Sequence, residues 1–423
     1  MFKVFFQTVT ALLCFLVFFR CASAQIIPKK ESVEKKKESS VIVGAERLDL
    51  LLPLIKGKSI GIVSNHTGRV GSGGTLLPDT LLSLGQRVVR LFSPEHGFRG
   101  TADAGAKVKN IIDKETGLPP VVSLYGDKKK PNKQQLKNIE ILLFDLQDVG
   151  TRFYTYISTL HYIMEAAAEE KIPVIILDRP NPNDFIDGPI LTPSCRSFIG
   201  MHPIPILHGL TVGELALMIN GEQWLSPKGL QCDLTIIPVS GWKHGDSYPL
   251  PTPPSPNLKT DNALRLYPSL CFFEATIMSV GRGTNDPFTC IGYPDKKMGN
   301  YSFIPLSQVG ATAPKHEGKR CYGEDFSTNY AIKGLSLSPL LEYYKKTKSL
   351  GYTLINRKRT FDLLAGSSSL REQLNKGWSE HQIRASWEKD LVQYRILHAR
   401  YLIYDGKYGI KKREVSTPPI VNK

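Results

Sequence analysis

Glu95 and His96 follow the apolar pair Leu91-Phe92 through Ser93-Pro94, and two more acids, Asp145 and Asp148, flank Gln147 where the apolar run 141–144 ends. A carboxyl lifted by partial burial can give its proton to a leaving oxygen, while a second, ionised carboxylate serves the sugar cation that forms. Most glycosidases use such a pair. Glu95 is the candidate general acid, and Asp145 and Asp148 are candidates for the second carboxylate. Each has a plainer use. Glu95 can pair with Arg99, Asp148 can receive N–H groups where a helix begins, and Asp145 can fix a loop at a strand end.

Other chemistries fit less well. In Gly71-Ser72-Gly73-Gly74 the third glycine of a dinucleotide loop is replaced by Leu76, and no acid occupies a ribose position, so no nicotinamide cofactor is expected. A serine hydrolase on such a sheet would need a Gly-x-Ser-x-Gly elbow, and none is present. Cys195, Cys232, Cys271, Cys290 and Cys321 have no CxxC pair and no histidine at zinc spacing, so no metal is expected. One disulfide among them stays open.

The elements that must position these residues read as alternating strands and helices. Strands are expected at 59–64, 88–92, 121–125, 141–146 and 173–177, with helices at 76–84, near 133–138, and at 152–171 with Thr151 as N-cap. This is βαβ order, and it predicts an α/β, doubly wound parallel sheet. The carboxyl ends of such strands share one edge, outside which ligands bind. Ser64-Asn65-His66, Glu95-His96, Asp145 with Gln147 and Asp148, and Asp178-Arg179 all fall there. Further on, Thr211-Val212-Gly213-Glu214 is a capping box opening a helix. Pro249, Pro251, Pro253, Pro254 and Pro256 enforce an extended loop.

Residues 1–24 carry Lys3, an apolar stretch and Ala22-Ser23-Ala24 ahead of Gln25, the pattern of a secretory signal. Phe18-Phe19-Arg20 is a poor lead-in for lipidation at Cys21. No later segment approaches the ~20 apolar residues of a membrane span. The expectation is an exported protein, periplasmic or secreted. It divides into signal 1–24, disordered basic leader 25–45, an N-terminal sheet domain 46–225 and a smaller α+β domain 226–423. Losing Lys3 and Arg20 takes two charges from a formal net of +15. The remaining surplus favours acidic glycans or cell wall as partners, and export disfavours nucleic acid.

Longer words then become recognisable. Phe92-Ser93-Pro94-Glu95-His96-Gly97-Phe98-Arg99-Gly100, Phe144-Asp145-Leu146-Gln147-Asp148-Val149-Gly150-Thr151-Arg152-Phe153-Tyr154-Thr155-Tyr156 and Leu177-Asp178-Arg179-Pro180-Asn181-Pro182 are three of them. His208-Gly209-Leu210-Thr211, Pro254-Ser255-Pro256-Asn257, Tyr267-Pro268 and Gly281-Arg282-Gly283-Thr284 follow in order. Together they closely resemble the NamZ-type exo-β-N-acetylmuramidases, glycoside hydrolase family 171, long catalogued as a domain of unknown function.

The resemblance implies a Rossmann-like N-terminal part without an obligatory nucleotide, and an active cleft between it and the C-terminal part. The implied reaction releases terminal N-acetylmuramic acid from the non-reducing ends of peptidoglycan-derived glycans, in cell-wall turnover and recycling. By matched position Glu95 is the general acid, with His96 tuning its proton or bonding the sugar. Asp148, backed by Asp145 and Glu274, is the second carboxylate. Arg152, Arg179 and Arg282 are candidates to hold the lactyl carboxylate, since a guanidinium binds it with two parallel hydrogen bonds. Asn65, Gln147, Asn181 and Asn257 have amides suited to sugar hydroxyls, and Asp178, His208, Tyr154 and Tyr156 complete the binding set. The two tyrosines are two residues apart on a helical turn, so at most one faces the cleft.

The chain departs from the family pattern at Val280, where relatives carry a glutamate before Gly-Arg-Gly-Thr, and at Lys259. The missing acid keeps the essential chemistry on Glu95. Retention, inversion and participation of the substrate's acetamido group are each compatible with this set. The competing class is a non-catalytic, exported module that binds peptidoglycan fragments in the same cleft, with an esterase or amidase a weaker third.

Overall fold

The computed structural model describes residues 41–71, 74–95, 97–99, 119–126, 128–328, 332 and 334–406. The expected signal, most of the leader behind it, His96, Gly100 and Ser72-Gly73 of the 71–74 loop lie outside these residues.

Short apolar runs bounded by turns make the six strands β1 (Ile60–Ser64), β2 (Val88–Ser93), β3 (Val121–Ser123), β4 (Ile141–Asp145), β5 (Val174–Leu177) and β6 (Leu234–Ile237). They pair in parallel in the order β3-β2-β1-β4-β5-β6. This is the doubly wound Rossmann order, and its direction reverses between β1 and β4. Ser64 pairs with Asp145 in register, so the two central strands end level at the switch point.

Alternation sorts the side chains onto two faces. Ile60, Ile62, Ile141, Leu143, Ile175 and Leu177 join one core with α1 (Leu48–Ile55) and α2 (Leu77–Ser83). Val63, Leu142, Phe144, Val174 and Ile176 join the other with α3 (Lys133–Leu136), α4 (Tyr156–Glu169) and α5 (Val212–Gly221). Burial on both faces explains why these strands read as continuous apolar runs.

The second core continues without a break into the C-terminal half, through α6 (Asp261–Leu270) and Phe272-Phe273. A small antiparallel sheet follows, with β7 (Cys290–Tyr293) and β8 (Tyr301–Phe303) on either side of β9 (Cys321–Asp325). Helices α7 (Ser338–Ser349), α8 (Lys358–Ala365), α9 (Ser369–Asn375) and α10 (Glu380–His398) are the last described elements. No described helix is long and apolar enough to cross a membrane. Cys195, Cys232, Cys271, Cys290 and Cys321 are all free and buried.

Two expectations change. The helix assigned to 152–171 begins at Tyr156 with Thr155 as N-cap, not at Arg152 behind Thr151. Thr151 is instead bridged to Leu207, the Arg152 N–H donates to the Ile206 carbonyl and the Tyr154 N–H to the Thr151 carbonyl, so the chain is tied down in a turn before the helix begins. Strand β6 was not anticipated, and it follows closely after the expected 225/226 junction.

Polar bonds lock the C-terminal half to the sheet. The capping box forms as read, with Glu214 N donating to Thr211 Oγ1 and Thr211 N to Glu214 Oε2. Glu214 Oε1 also accepts from Ile403 N at 3.0 Å and lies 2.9 Å from His244 Nε2, while His244 Nδ1 is 3.0 Å from Asp184 Oδ1. Asp178 Oδ2 accepts from Tyr404 Oη at 2.6 Å and Thr211 Oγ1 at 2.7 Å, and Oδ1 accepts from Gly213 N at 2.8 Å. Burial pushes the Asp178 carboxyl up to about 6 against the pull of these donors. For His244, burial alone would lower the imidazole, but its bonds to Asp184 and Glu214 outweigh that and raise it from 6.5 to about 10.

A histidine bound more tightly to its proton in the folded state stabilises fully below its unfolded value. That contribution drains away as pH rises from 6.5 toward 10. His244→Gln, which strands two buried carboxylates, is expected to cost about 3–5 kcal/mol near neutral pH. Thermal melts followed by circular dichroism should show the wild-type advantage shrinking between pH 7 and 10. A gap that stays constant with pH would exclude this charge pairing.

Candidate active site

At the carboxyl edge of the sheet most polar groups are spent on one another. Asn65, just past β1, donates from Nδ2 to Tyr156 Oη at 2.7 Å, and its Oδ1 accepts from Thr67 N and Thr67 Oγ1. Gln147 donates to the Asp148 and Pro180 carbonyls, each at 2.9 Å. Asp145 Oδ1 takes Arg179 Nε at 2.7 Å in a fully buried pair, and Arg179 Nη2 reaches the Arg69 carbonyl. Asn181 bridges Leu210 O and Asn183 N.

Arg152 is fully buried and donates to the carbonyls of Pro189, Ile204 and Leu364. Burial brings its guanidinium down to about 9. Asp148 Oδ2 accepts from Gly150 N at 2.7 Å and lies 3.8 Å from His208 Nε2. Gly150 has φ +75°, and a Cβ there would strike Asn181 Oδ1 at 2.0 Å, so the turn requires glycine. Asp148 Oδ1 and His208 Nε2 are buried without a hydrogen-bond partner among the described residues.

Above this edge runs the proline-dense loop. Its Pro254 carbonyl accepts from Tyr154 Oη at 2.8 Å and Tyr156 Oη at 3.3 Å, the two rings meeting edge to face. Asn257 Nδ2 donates to Gly310 O at 2.7 Å. Gly310, at φ +85°, packs so closely on Pro256 that a Cβ would come within 2.5 Å of the ring. The strap thus joins the sheet edge to the 308–313 loop.

Between them opens a cavity of about 540 Å³. From the sheet side it is lined by Glu95, Tyr125, Tyr154 and Thr155, and from the C-terminal half by Tyr267, Glu274, Arg282, Lys315 and Arg357, among others. Glu95 Oε2 accepts from Thr155 Oγ1 at 2.8 Å. Arg282 grips Glu274 with Nε at 2.6 Å and Nη2 at 3.2 Å, and its guanidinium stacks 5.0 Å from the Phe288 ring centre. Burial would raise the Glu274 carboxyl, but Arg282, then Lys315 and Arg357, bring it below the usual carboxylate range. Lys315 Nζ sits among main-chain carbonyls, 2.5 Å from Thr276 O and 2.9 Å from Met278 O. Burial lowers its ammonium to about 8, Glu274 opposing and Arg357 adding to the shift.

Of the residues singled out in the sequence, Glu95, Tyr154, Glu274 and Arg282 therefore meet at the cavity. Asp145, Asp148, Asn65, Gln147, Arg152, Tyr156, Asp178, Arg179, Asn181, His208 and Asn257 are buried and do not line it. His96 lies outside the described residues. Thr155, Lys315 and Arg357 carried no expected role. Thr155 stood within a recognised word, while the other two lie on irregular segments with no periodic signal. Val280, at the family's missing glutamate, is part of the cavity wall.

Comparison with known proteins follows this geometry. Residues 60–262 match the N-terminal model of the exo-beta-N-acetylmuramidase NamZ and residues 265–404 its C-terminal model. The peptidoglycan beta-N-acetylmuramidase NamZ of Bacillus subtilis is 38% identical over 425 residues, covering 94% of this chain and all of the relative. Crystal structures of two DUF1343 family proteins of Bacteroides fragilis superpose with TM-scores of 0.79 and 0.71. The first is 42% identical, covering 87% of this chain and 100% of its own, and the second is 30% identical, covering 86% and 99%.

The strap is testable by itself. Tyr154→Phe removes the shorter of two donors to the Pro254 carbonyl, and urea denaturation should register a loss of about 1 kcal/mol. The Tyr154→Phe, Tyr156→Phe double variant leaves that carbonyl without either hydroxyl and should lose more than the two singles combined. Strict additivity would show that the two hydroxyls do not share one acceptor in solution.

Proposed function

The chain belongs to the exo-beta-N-acetylmuramidase NamZ family, and we propose that its cavity is where terminal N-acetylmuramic acid leaves the non-reducing ends of peptidoglycan-derived glycans. It is a glycoside hydrolase of that type, with a Rossmann-like sheet carrying one wall of the cavity. The observation that carries the site assignment is the pair of carboxylates. Among the described residues Glu95 and Glu274 are the only acids lining the cavity, and their settings differ.

Glu95 is the general acid. Held through one oxygen by Thr155, it gives its proton to the glycosidic oxygen as the bond to the muramic acid anomeric carbon breaks. Water supplies the oxygen that ends on that carbon, and its proton returns to the enzyme. Glu274, kept ionised by the Arg282 fork, faces the positive charge that spreads over the sugar ring. Its place in the cavity favours it over Asp148 and Asp145 as the second carboxylate. Asp148 and the other edge residues act as positioning groups beneath Tyr154 and Thr155. His96, adjacent to Glu95 in sequence, remains the candidate to tune its proton. The signal pattern at 1–24 and a wall-derived substrate together support action outside the cytoplasm, periplasmic or secreted.

Release of 4-nitrophenol from its β-N-acetylmuraminide, against the N-acetylglucosamine glycoside, tests the assignment. Wild type should prefer the muraminide, and Glu95→Gln should lower kcat by about 10²- to 10⁴-fold with KM little changed. Glu274→Gln should also fall mainly in kcat. A folded wild type that binds muramyl fragments and releases nothing would refute the hydrolytic assignment.

A further inference from the structure

Three cations line the cavity, and two of them are already committed. Arg282 spends its fork on Glu274 and its face on Phe288, and Lys315 gives its protons to main-chain carbonyls of the 273–278 segment. Arg357 differs. Its solvent-exposed guanidinium makes no hydrogen bond or ion pair among the described residues, acting on Glu274 only through its charge, yet it lines the same cavity. The residue is nonetheless firmly placed, because its main-chain N–H donates to Ala275 O at 3.2 Å, next to Glu274. Ile277 N to Leu354 O at 2.9 Å pins the same two segments a second time. Arg357 is also the N-cap of α8, whose first turn adds Thr360 to the cavity wall.

Around one carboxylate, Glu274, stand three basic groups, so this wall carries excess positive charge with one planar, two-pronged donor unspent. A planar anion with two oxygens is its natural complement. We propose that Arg357 is the specificity residue that reads the free carboxylate of the substrate's lactyl group, and so selects sugars whose carboxyl is not capped by an amide. This rests on the muramidase reading for the identity of the anion. The unspent guanidinium itself is independent of it.

The test compares 4-nitrophenyl β-N-acetylmuraminide with its lactyl carboxamide, using wild type, Arg357→Met and Arg357→Lys, each checked for fold by its melting temperature. Wild type should favour the carboxylate by about 10- to 100-fold in kcat/KM, as a paired, charge-assisted contact supplies. In Arg357→Met that ratio should collapse toward one, mostly through KM, and Arg357→Lys should keep only part of it. A ratio that survives in Arg357→Met, or an equal loss on both substrates, overturns the proposal. If wild type hydrolyses neither glycoside, the hydrolytic reading fails by itself. Calorimetric binding of free N-acetylmuramic acid against N-acetylglucosamine then decides the Arg357 question. A carboxylate preference lost in Arg357→Met supports it, and no preference overturns it.

Discussion

A polar group shut away from water must find a partner inside the protein, and at the carboxyl edge of this sheet that demand governs the site. Strands buried on both faces end in acids, amides and an arginine, and the C-terminal half covers them. Asp145 therefore takes Arg179, Asp178 takes Tyr404, Thr211 and the Gly213 N–H, and Asn65 takes Tyr156 and Thr67. Once these debts are settled little remains for a substrate. The groups that reach the cavity stand one step farther out, at Glu95 beyond β2 and at Thr155 where α4 begins.

The same demand explains how the chain's last segments support a site they do not line. Tyr394 Oη donates to the His208 carbonyl, and His398 Nε2 lies 2.8 Å from the Gly209 carbonyl, so α10 holds the turn beside Asp148. Ile403 N and Tyr404 Oη bond the capping-box glutamate and Asp178. Two elements far apart in sequence thus satisfy the same buried carboxylates. Removing a hydroxyl at Tyr404 leaves a deficit at the sheet edge, far from it in sequence.

How legible this was from the sequence varies with the physical signal involved. The central strands announced themselves because burial on both faces makes them apolar throughout, whereas the half-buried edge strand β6 did not, and the Thr211/Glu214 box was readable because its chemistry is local. Which strand-end residue faces a ligand was not readable, since it depends on the covering layer. Arg152 and Glu95 are equally polar, yet one ends among three carbonyls and the other in the cavity. Thr151 misled as a cap because its partner, Leu207, is remote in sequence. Lys315 and Arg357 follow no periodicity, and their place depends on packing that only the fold supplies.

The cavity's three cations illustrate why a count of charges says little about recognition. In a semi-enclosed site each charge is strengthened by the loss of water and also neutralised by whatever counter-charge or dipole is nearest. Arg282 sets the charge state of Glu274, and in doing so gives up its own hydrogen-bonding face. Lys315, lowered to about 8, serves as a bracket for the carbonyls of 276 and 278, and so holds the segment that carries Glu274 in place. Both already have partners within the protein. In the proposal above, selectivity comes from a group whose main chain is fixed and whose side chain makes no hydrogen bond within the described residues, Arg357. Arg357 is solvent-exposed, so an anion that binds it replaces water on the guanidinium, and only its main chain is ordered beforehand.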